Sequence, residues 1–251
     1  MRNIMVAGAL MLACGSAAAS GREVNVDCDV HSDYNFALTQ KSLILTRKDG
    51  TPKTVLMRQG RLFVDDKWVA VSDADRERLA TYEREARATM PLAQLIGRDA
   101  ATIAFTALGE VAKGFSNDPD KTEAKLRQAR AELDRNLASS VSATSFNSAD
   151  LGKGIGEAVG DVIPMVIGDI VGGAMRAAFS GDSERLERMD NLDKRIDAIV
   201  EPRAKALEHN ADLLCQKMRT LDGLDDALEY RHDGKPLELL RVDVRDKHHQ
   251  D

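Results

Sequence analysis

LILTRKDGTPKTVLMRQGRLFVDDKWVAVSDAD, residues 43–75, carries the change of periodicity that decides the fold. Leu43 and Leu45 alternate with other residues, the period of a half-buried strand. Asp49-Gly50 is a hairpin signal, because glycine takes the positive φ that a tight turn requires. Residues 55–57 continue into Gln59-Gly60, residues 62–64 into Asp65-Asp66-Lys67, and residues 68–71 close a meander of four or five antiparallel strands. Ser72 and Asp75 then form an S-x-x-D capping box, and strand periodicity stops there.

Downstream of Ser72 the spacing is helical. Leu79, Tyr82 and Ala86 share one face up to Met90-Pro91, where the first helix is expected to end. A second helix is expected over 91–114, with Leu95, Ile96, Ile103, Leu108 and Val111 inward, and a charged third from Asn117-Asp118-Pro119 to about Leu137. Residues 139–147 read as a polar break, and two further helical stretches are expected at 149–179 and 183–230. Upstream, Val24, Val26, Cys28 and Val30 alternate as the first strand of this same sheet, on a face expected to meet the bundle. The fold class is therefore α+β: a small N-terminal antiparallel β-meander (20–71), then a multi-helix bundle with a kinked glycine-rich helix (72–230). The bundle packs on the sheet as one domain, and 231–251 is a polar C-terminal tail.

The first twenty residues, MRNIMVAGALMLACGSAAAS, have the layout of an export signal. Arg2 precedes an apolar run at 4–13 that is too short to span a bilayer, and Ala17-Ala18-Ala19 is an A-x-A cleavage site, predicting cleavage after Ala19. Met11-Leu12-Ala13-Cys14-Gly15 also resembles a lipoprotein signal, with Cys14 the lipidated residue, although Leu12 stands one place late. Two localisations stay open: soluble in the periplasm, or lipid-anchored at an envelope membrane. Either route removes Cys14 from thiol chemistry and leaves Cys28 and Cys215 in an oxidising compartment. A disulfide between them is expected, with two buried free thiols as the alternative.

Three landmarks occur together: a cysteine on a short strand near the mature N-terminus, a meander running into a helix with Tyr82 and then Met90-Pro91-Leu92, and a late helix with Leu213-Leu214-Cys215 and Leu221-Asp222-Gly223-Leu224. This layout resembles the YggN-like proteins, a family of exported proteobacterial proteins classed as a domain of unknown function. The resemblance implies a periplasmic location and the same cysteine pairing. It supplies no catalytic residue.

The most unusual stretch is 151–178. Gly152, Gly156, Gly160, Gly168 and Gly172 form a four-residue series whose missing member is Pro164. Residues four apart share a helix face, so this row predicts close helix packing, with a kink where Pro164 meets the carbonyl of Gly160. Only residues 162–168 separate Asp161 from Asp169, against the ~20 a bilayer span needs, so no transmembrane span is expected in the mature chain. Two readings stand for the row: a core helix packed on the helix at 91–114, or a glycine zipper at a lipid surface. In the last long helix Leu186, Met189, Ile196, Val200, Leu207, Leu214, Met218 and Leu221 form a narrow coiled-coil-like seam interrupted by Pro202. It faces either the bundle or a second copy.

A net charge of −6 gives nucleic-acid binding no electrostatic footing. Around Lys153 a phosphate-binding loop would need glycine at 147 and a hydroxyl residue at 154; the chain has Asn147 and Gly154. His248 and His249, with Asp246 and Asp251, lie in the tail and are read as solvated rather than as metal ligands. No catalytic residue, metal ligand or cofactor is assigned. The expected function is that of an exported, non-enzymatic binding or structural module, acting by self-association or with an envelope protein partner. The rivals are a lipid-surface-active protein and an envelope hydrolase with dispersed catalytic residues. A concave acidic pocket would favour the hydrolase, and an exposed apolar patch beside the glycine row the lipid reading.

Overall fold

A computed structural model describes residues 26–142, 144–160, 162–180 and 192–246. The signal segment with Ala19 and Cys14, Val24, Asp161, Leu186, Met189, His248 and His249 lie outside these residues. The strands are β1 (Val26–His31), β2 (Asn35–Leu38), β3 (Leu43–Thr46), β4 (Thr54–Arg58), β5 (Arg61–Val64) and β6 (Lys67–Val69). Then follow α1 (Asp73–Phe115), α2 (Pro119–Ser140), β7 (Val141–Ser142), β8 (Ser145–Asn147), α3 (Ser148–Val159), α4 (Val162–Ser180) and α5 (Leu192–Asp226). β9 (Arg231–His232), β10 (Lys235–Pro236) and β11 (Arg241–Asp246) complete the chain.

The expected meander is present. β2 to β6 pair in antiparallel succession within a seven-stranded sheet of order β6-β5-β4-β3-β2-β8-β7. Its two-residue turns sit at Gln59-Gly60 and Asp65-Asp66, all four residues with positive φ, as a right-twisted hairpin requires. At Gly60 a side chain is excluded twice over, since a Cβ there would lie 2.7 Å from the carbonyl oxygen of Arg76. Alternation puts Leu43, Leu45, Val55, Met57, Leu62 and Val64 on one face, buried against Leu79, Tyr82 and Ala86 of α1 and Leu221 of α5. Helices on one face of an antiparallel sheet make this an α+β fold.

Four features differ from the sequence-based expectation. β1 is not part of the meander; it pairs along its length with β11, Cys28 opposite Val244, so 231–246 is a β-hairpin and a strand rather than a polar tail. Leu237, Leu239 and Leu240 of that segment are buried in the main core, while Val30 of β1 is 44% exposed. Residues 141–147 are not a break, since β7 and β8 extend the sheet beside β2. Finally, Pro91 does not end a helix. α1 runs through it for 43 residues, and α5 likewise runs through Pro202. A helix-interior proline costs about 3 kcal/mol, and the long pairing of α1 with α5 outweighs it. That pairing is antiparallel, with Asp75 beside Glu229 and Tyr230 at one end and Glu110 beside Arg195 at the other. Ile196, Val200, Leu207, Leu214 and Met218 of the α5 seam are half-buried and Leu221 is buried.

Two buried carboxylates and one disulfide hold both ends of the described chain at the sheet end. Ser72 caps α1 by accepting the Asp75 N–H (3.1 Å). The Asp75 carboxylate does not complete a capping box. It accepts instead from the Glu229 and Tyr230 N–H groups (2.9 and 2.8 Å) and from Arg78 (2.8 Å). Burial opposes ionisation of Asp75, but these donors outweigh it and hold its carboxyl below the usual value. Asp225, 3% exposed, accepts from the Leu239 and Leu240 N–H groups (2.6 and 3.2 Å), and its other oxygen is buried without a partner among the described residues. Burial pushes this carboxyl up to about 7; the two N–H donors offset only part of the effect, and Asp226 and Asp222 add to it. Cys28 is bonded to Cys215 with Cα atoms 6.1 Å apart, within the reach of a bridge, joining β1 to α5 across 187 residues.

Two predictions follow from this end of the molecule. Cys28→Ser or Cys215→Ser lowers unfolding stability by a few kcal/mol, up to about 5 in the chain-entropy treatment of so long a loop. Urea denaturation without reductant measures it, and an unchanged midpoint refutes it. The folded Asp225 carboxyl titrates near 7 against 3.8 in its ordinary state, so the native chain holds a proton that the unfolded chain releases. Its contribution is complete below about pH 4 and is lost as the pH rises through about 7. Asp225→Asn removes that component, so the variant's stability falls less than wild type's between pH 5 and pH 8. Equal slopes for the two proteins contradict the assignment.

Candidate interaction surface

Phe115 lies 25 residues beyond Met90, the last α1 residue clustered with sheet residues, which puts the far end of α1 about 38 Å from the sheet. There the chain turns sharply. Ser116 caps the C-terminus of α1, and Asp118 caps α2 by accepting the Lys121 N–H (3.2 Å). This corner is where α4 docks. The Asp169 carboxylate accepts from the hydroxyls of Ser116 and Thr122 (2.8 Å from Thr122), and from the backbone N–H (3.3 Å) and side-chain amide (3.2 Å) of Asn117. The Ser116 hydroxyl, helped by Thr122 and Asn117, keeps this carboxyl below its usual range despite the opposing cost of burial.

Four residues on, the backbone of Gly173 lies against the Phe115 carbonyl, with no room for a Cβ. Val166, three residues before Asp169, is fully buried with Ala112 and Leu126. Asp169, Gly173 and Val166 share one face at helical spacing, so these three contacts set the rotation of α4 about its axis.

The opposite face is then exposed, and it is apolar. Met165, Ile167, Val171, Met175 and Phe179 are 43, 49, 50, 58 and 90% exposed. Among the described residues nothing lies within 4 Å of where a Cβ at Gly168 would stand, and a Cβ at Gly172 would meet only the tip of Asn117. A soluble helix normally buries its apolar stripe and exposes its charges; α4 turns its aspartate, half-buried, toward the α1–α2 corner and leaves five large apolar side chains on the outside. On α3, Ile155 is 38% exposed, and Gly152 and Gly156 face open space.

The glycine row is therefore not a buried packing face. Gly152, Gly156 and Gly168 touch no neighbour among the described residues, and a Cβ at Gly160 would meet only the Gly156 carbonyl of its own preceding turn (2.6 Å). The expected interruption falls there, between α3 and α4. Glycines in tight contact are others: Gly173 against Phe115, Gly154 against Asn136 of α2 (3.3 Å), and Gly97 against Leu137 (3.3 Å). The pairing Gly172-Gly173 is the signal in the sequence that points to Gly173. Within residues 150–176 an 18-residue stretch has a mean hydropathy of 1.5, and the segment is long and apolar enough to cross a membrane by length and composition, yet it forms two helices, with Asp169 clamped on the inner face.

A concavity of about 560 Å³ runs between α1 and α2 past Phe105, Gly109 and Leu126. Its carboxylates face cations: Glu110 with Lys113 and Arg195, Glu123 with Arg127, Asp134 with Arg130. Among the described residues no group of three or more His, Cys, Asp or Glu side chains is arranged to hold a metal ion. Comparison with known proteins matches residues 28–240 to one family model, described as a protein of unknown function (DUF2884). No curated protein and no solved structure matches.

The two classes of glycine make opposite predictions. Gly173→Ala forces a methyl group into the Phe115 carbonyl and destabilises by more than about 2 kcal/mol. Gly168→Ala, in open space, stabilises the chain by up to about 1 kcal/mol, the helix-propensity difference. Thermal denaturation of both variants at low protein concentration checks this, and similar midpoints would contradict the orientation of α4.

Proposed function

This chain belongs to the DUF2884 family of proteins of unknown function, and from that premise we propose that it is an exported, non-enzymatic docking module whose working surface is the outer face of α4. The observation that carries the reading is the orientation of that helix, which holds its aspartate inward beside Val166 and leaves Met165, Ile167, Val171, Met175 and Phe179 outward. A continuous exposed apolar face flanked by polar surface is the mark of an interaction site.

The two methionines suit such a face, being flexible and polarisable enough to fit an irregular partner surface. The glycines favour a helical partner over a lipid surface. Lipid binding is driven by bulky apolar side chains and flanking cations, whereas exposed helix glycines cost stability and benefit only a backbone that approaches closely. The net charge of −6 further disfavours anionic lipid. The α1–α5 pair carries this face away from the sheet. A YggN-like, periplasmic protein cleaved after Ala19 fits the reading, and so does a form anchored at Cys14, which would present α4 from a membrane-tethered stalk.

Photocrosslinking in intact cells tests the proposal. A photoreactive phenylalanine analogue in place of Met175 gives a higher-mass adduct on irradiation, and the same analogue in place of Glu123 on α2 does not. Val171→Asp combined with Phe179→Asp abolishes the adduct while leaving the far-ultraviolet circular dichroism unchanged. Absence of an adduct at position 175 above the level at 123 would falsify the docking role.

A further inference from the structure

Four exposed residues of α4 and the half-buried Gly172 recur at regular spacing. Met165, Gly168, Gly172, Met175 and Phe179 follow one another at steps of three, four, three and four. That is the a/d register of a coiled-coil seam, here facing outward with no partner among the described residues. Its central part is a palindrome, M-x-x-G-x-x-x-G-x-x-M, symmetric about Ile170. We propose that the occupant of this face is a second copy of the same chain, whose α4 packs antiparallel across the first; the inference rests on the docking role above and names its partner.

In an isologous pair, residue i of one copy meets residue j of the other, and j meets i. An antiparallel crossing centred between Gly168 and Gly172 satisfies that condition. It sets Met165 of each copy against Met175 of its partner and Gly168 against Gly172, the a-against-d layers of an antiparallel pair. A parallel pair would instead stack like on like. The opposed glycines let the two backbones approach closely, and the methionines at either side close over the crossing. The acid of this segment, Asp169, faces inward in each copy, so the seam brings no like charges together. The antiparallel arrangement also puts the positive N-terminal end of one helix beside the negative C-terminal end of the other.

Size sets the strength. α4 has 19 residues and is about 28 Å long. A seam of that length and about one helix wide falls well short of the ~800 Å² that each partner of a stable complex buries. The pair is therefore weak and reversible.

The test uses the full mature chain with its native disulfide intact. Sedimentation velocity shows a concentration-dependent monomer–dimer equilibrium, and Gly168→Leu abolishes it. The position has open space in the monomer, so the variant folds, and circular dichroism confirms that it has. Met165→Cys and Met175→Cys proteins are then mixed and mildly oxidised. The mixture gives a covalent 165–175 dimer several-fold more abundantly than either protein alone gives a homodimer. Predominant 165–165 and 175–175 dimers would overturn the antiparallel geometry. A chain that stays monomeric to several hundred micromolar overturns self-pairing. In that case, a surviving adduct at position 175 in cells leaves the docking role standing with another occupant, and flotation with phosphatidylcholine vesicles identifies a lipid one. Loss of both the dimer and the adduct overturns the two readings together.

Discussion

The display of an apolar helix face by this protein depends on one carboxylate. Asp169 sits on α4 among aliphatic residues, and in an isolated amphipathic helix it would turn to water. Here the corner between α1 and α2 offers two hydroxyls, a backbone N–H and a side-chain amide, and together these replace its solvation. Gly173 lets the α4 backbone approach the Phe115 carbonyl on the same face, and Val166 fills the space beside it. Polar and steric contacts thus select one rotation of the helix about its axis. That rotation leaves Met165, Val171, Met175 and Phe179 outside.

The other end of the molecule is built for restraint. Asp75 and Asp225 each bind a pair of backbone N–H groups in the segment after α5, and β11 closes onto β1, which is bonded through Cys28 to the middle of α5. Both ends of the described chain are therefore fastened beside the sheet. The two carboxylates do this with opposite electrostatics. Asp75 has Arg78 beside it and stays ionised, whereas Asp225 is pushed up by burial and by its acidic neighbours on the same helix. Tyr82, fully buried beside Asp225 and Asp222, is held well above the usual phenol range, first by burial. α1 and α5 join the restrained end to the displayed one, which keeps the apolar face clear of the sheet.

How much of this was legible in the amino acids follows from the range of each interaction. Local rules located the β2–β6 meander, because Gln59-Gly60 and Asp65-Asp66 dictate their own turn geometry from neighbours in sequence. They also located the start of α1 at Ser72 and of α2 at Asp118, since a capping side chain needs only the next three residues. The Cys28–Cys215 bridge was within reach of counting, because once the expected export signal takes Cys14 out of account, two cysteines leave few alternatives. Likewise, the break near Gly160 and Pro164 follows from the loss of a backbone donor and of conformational restraint.

Other features depend on distant partners. A strand edge reads the same whether its neighbour lies 15 or 215 residues away, so the pairing of β1 with β11, rather than with the meander, was decided by the tertiary structure. Pro91 reads locally as a terminator, but the energy of packing α1 along α5 exceeds the cost of one lost hydrogen bond. The residues 141–147 are too short and too polar to announce a hairpin, and they become one because β2 offers them an open edge. The glycines show the division most sharply. The sequence determines that a row of them occurs at 152, 156, 160, 168 and 172. Which glycine touches a backbone and which faces open space depends on the rotation of α4, and that rotation is set by the meeting of Asp169 with Ser116, Asn117 and Thr122 across some fifty residues of chain.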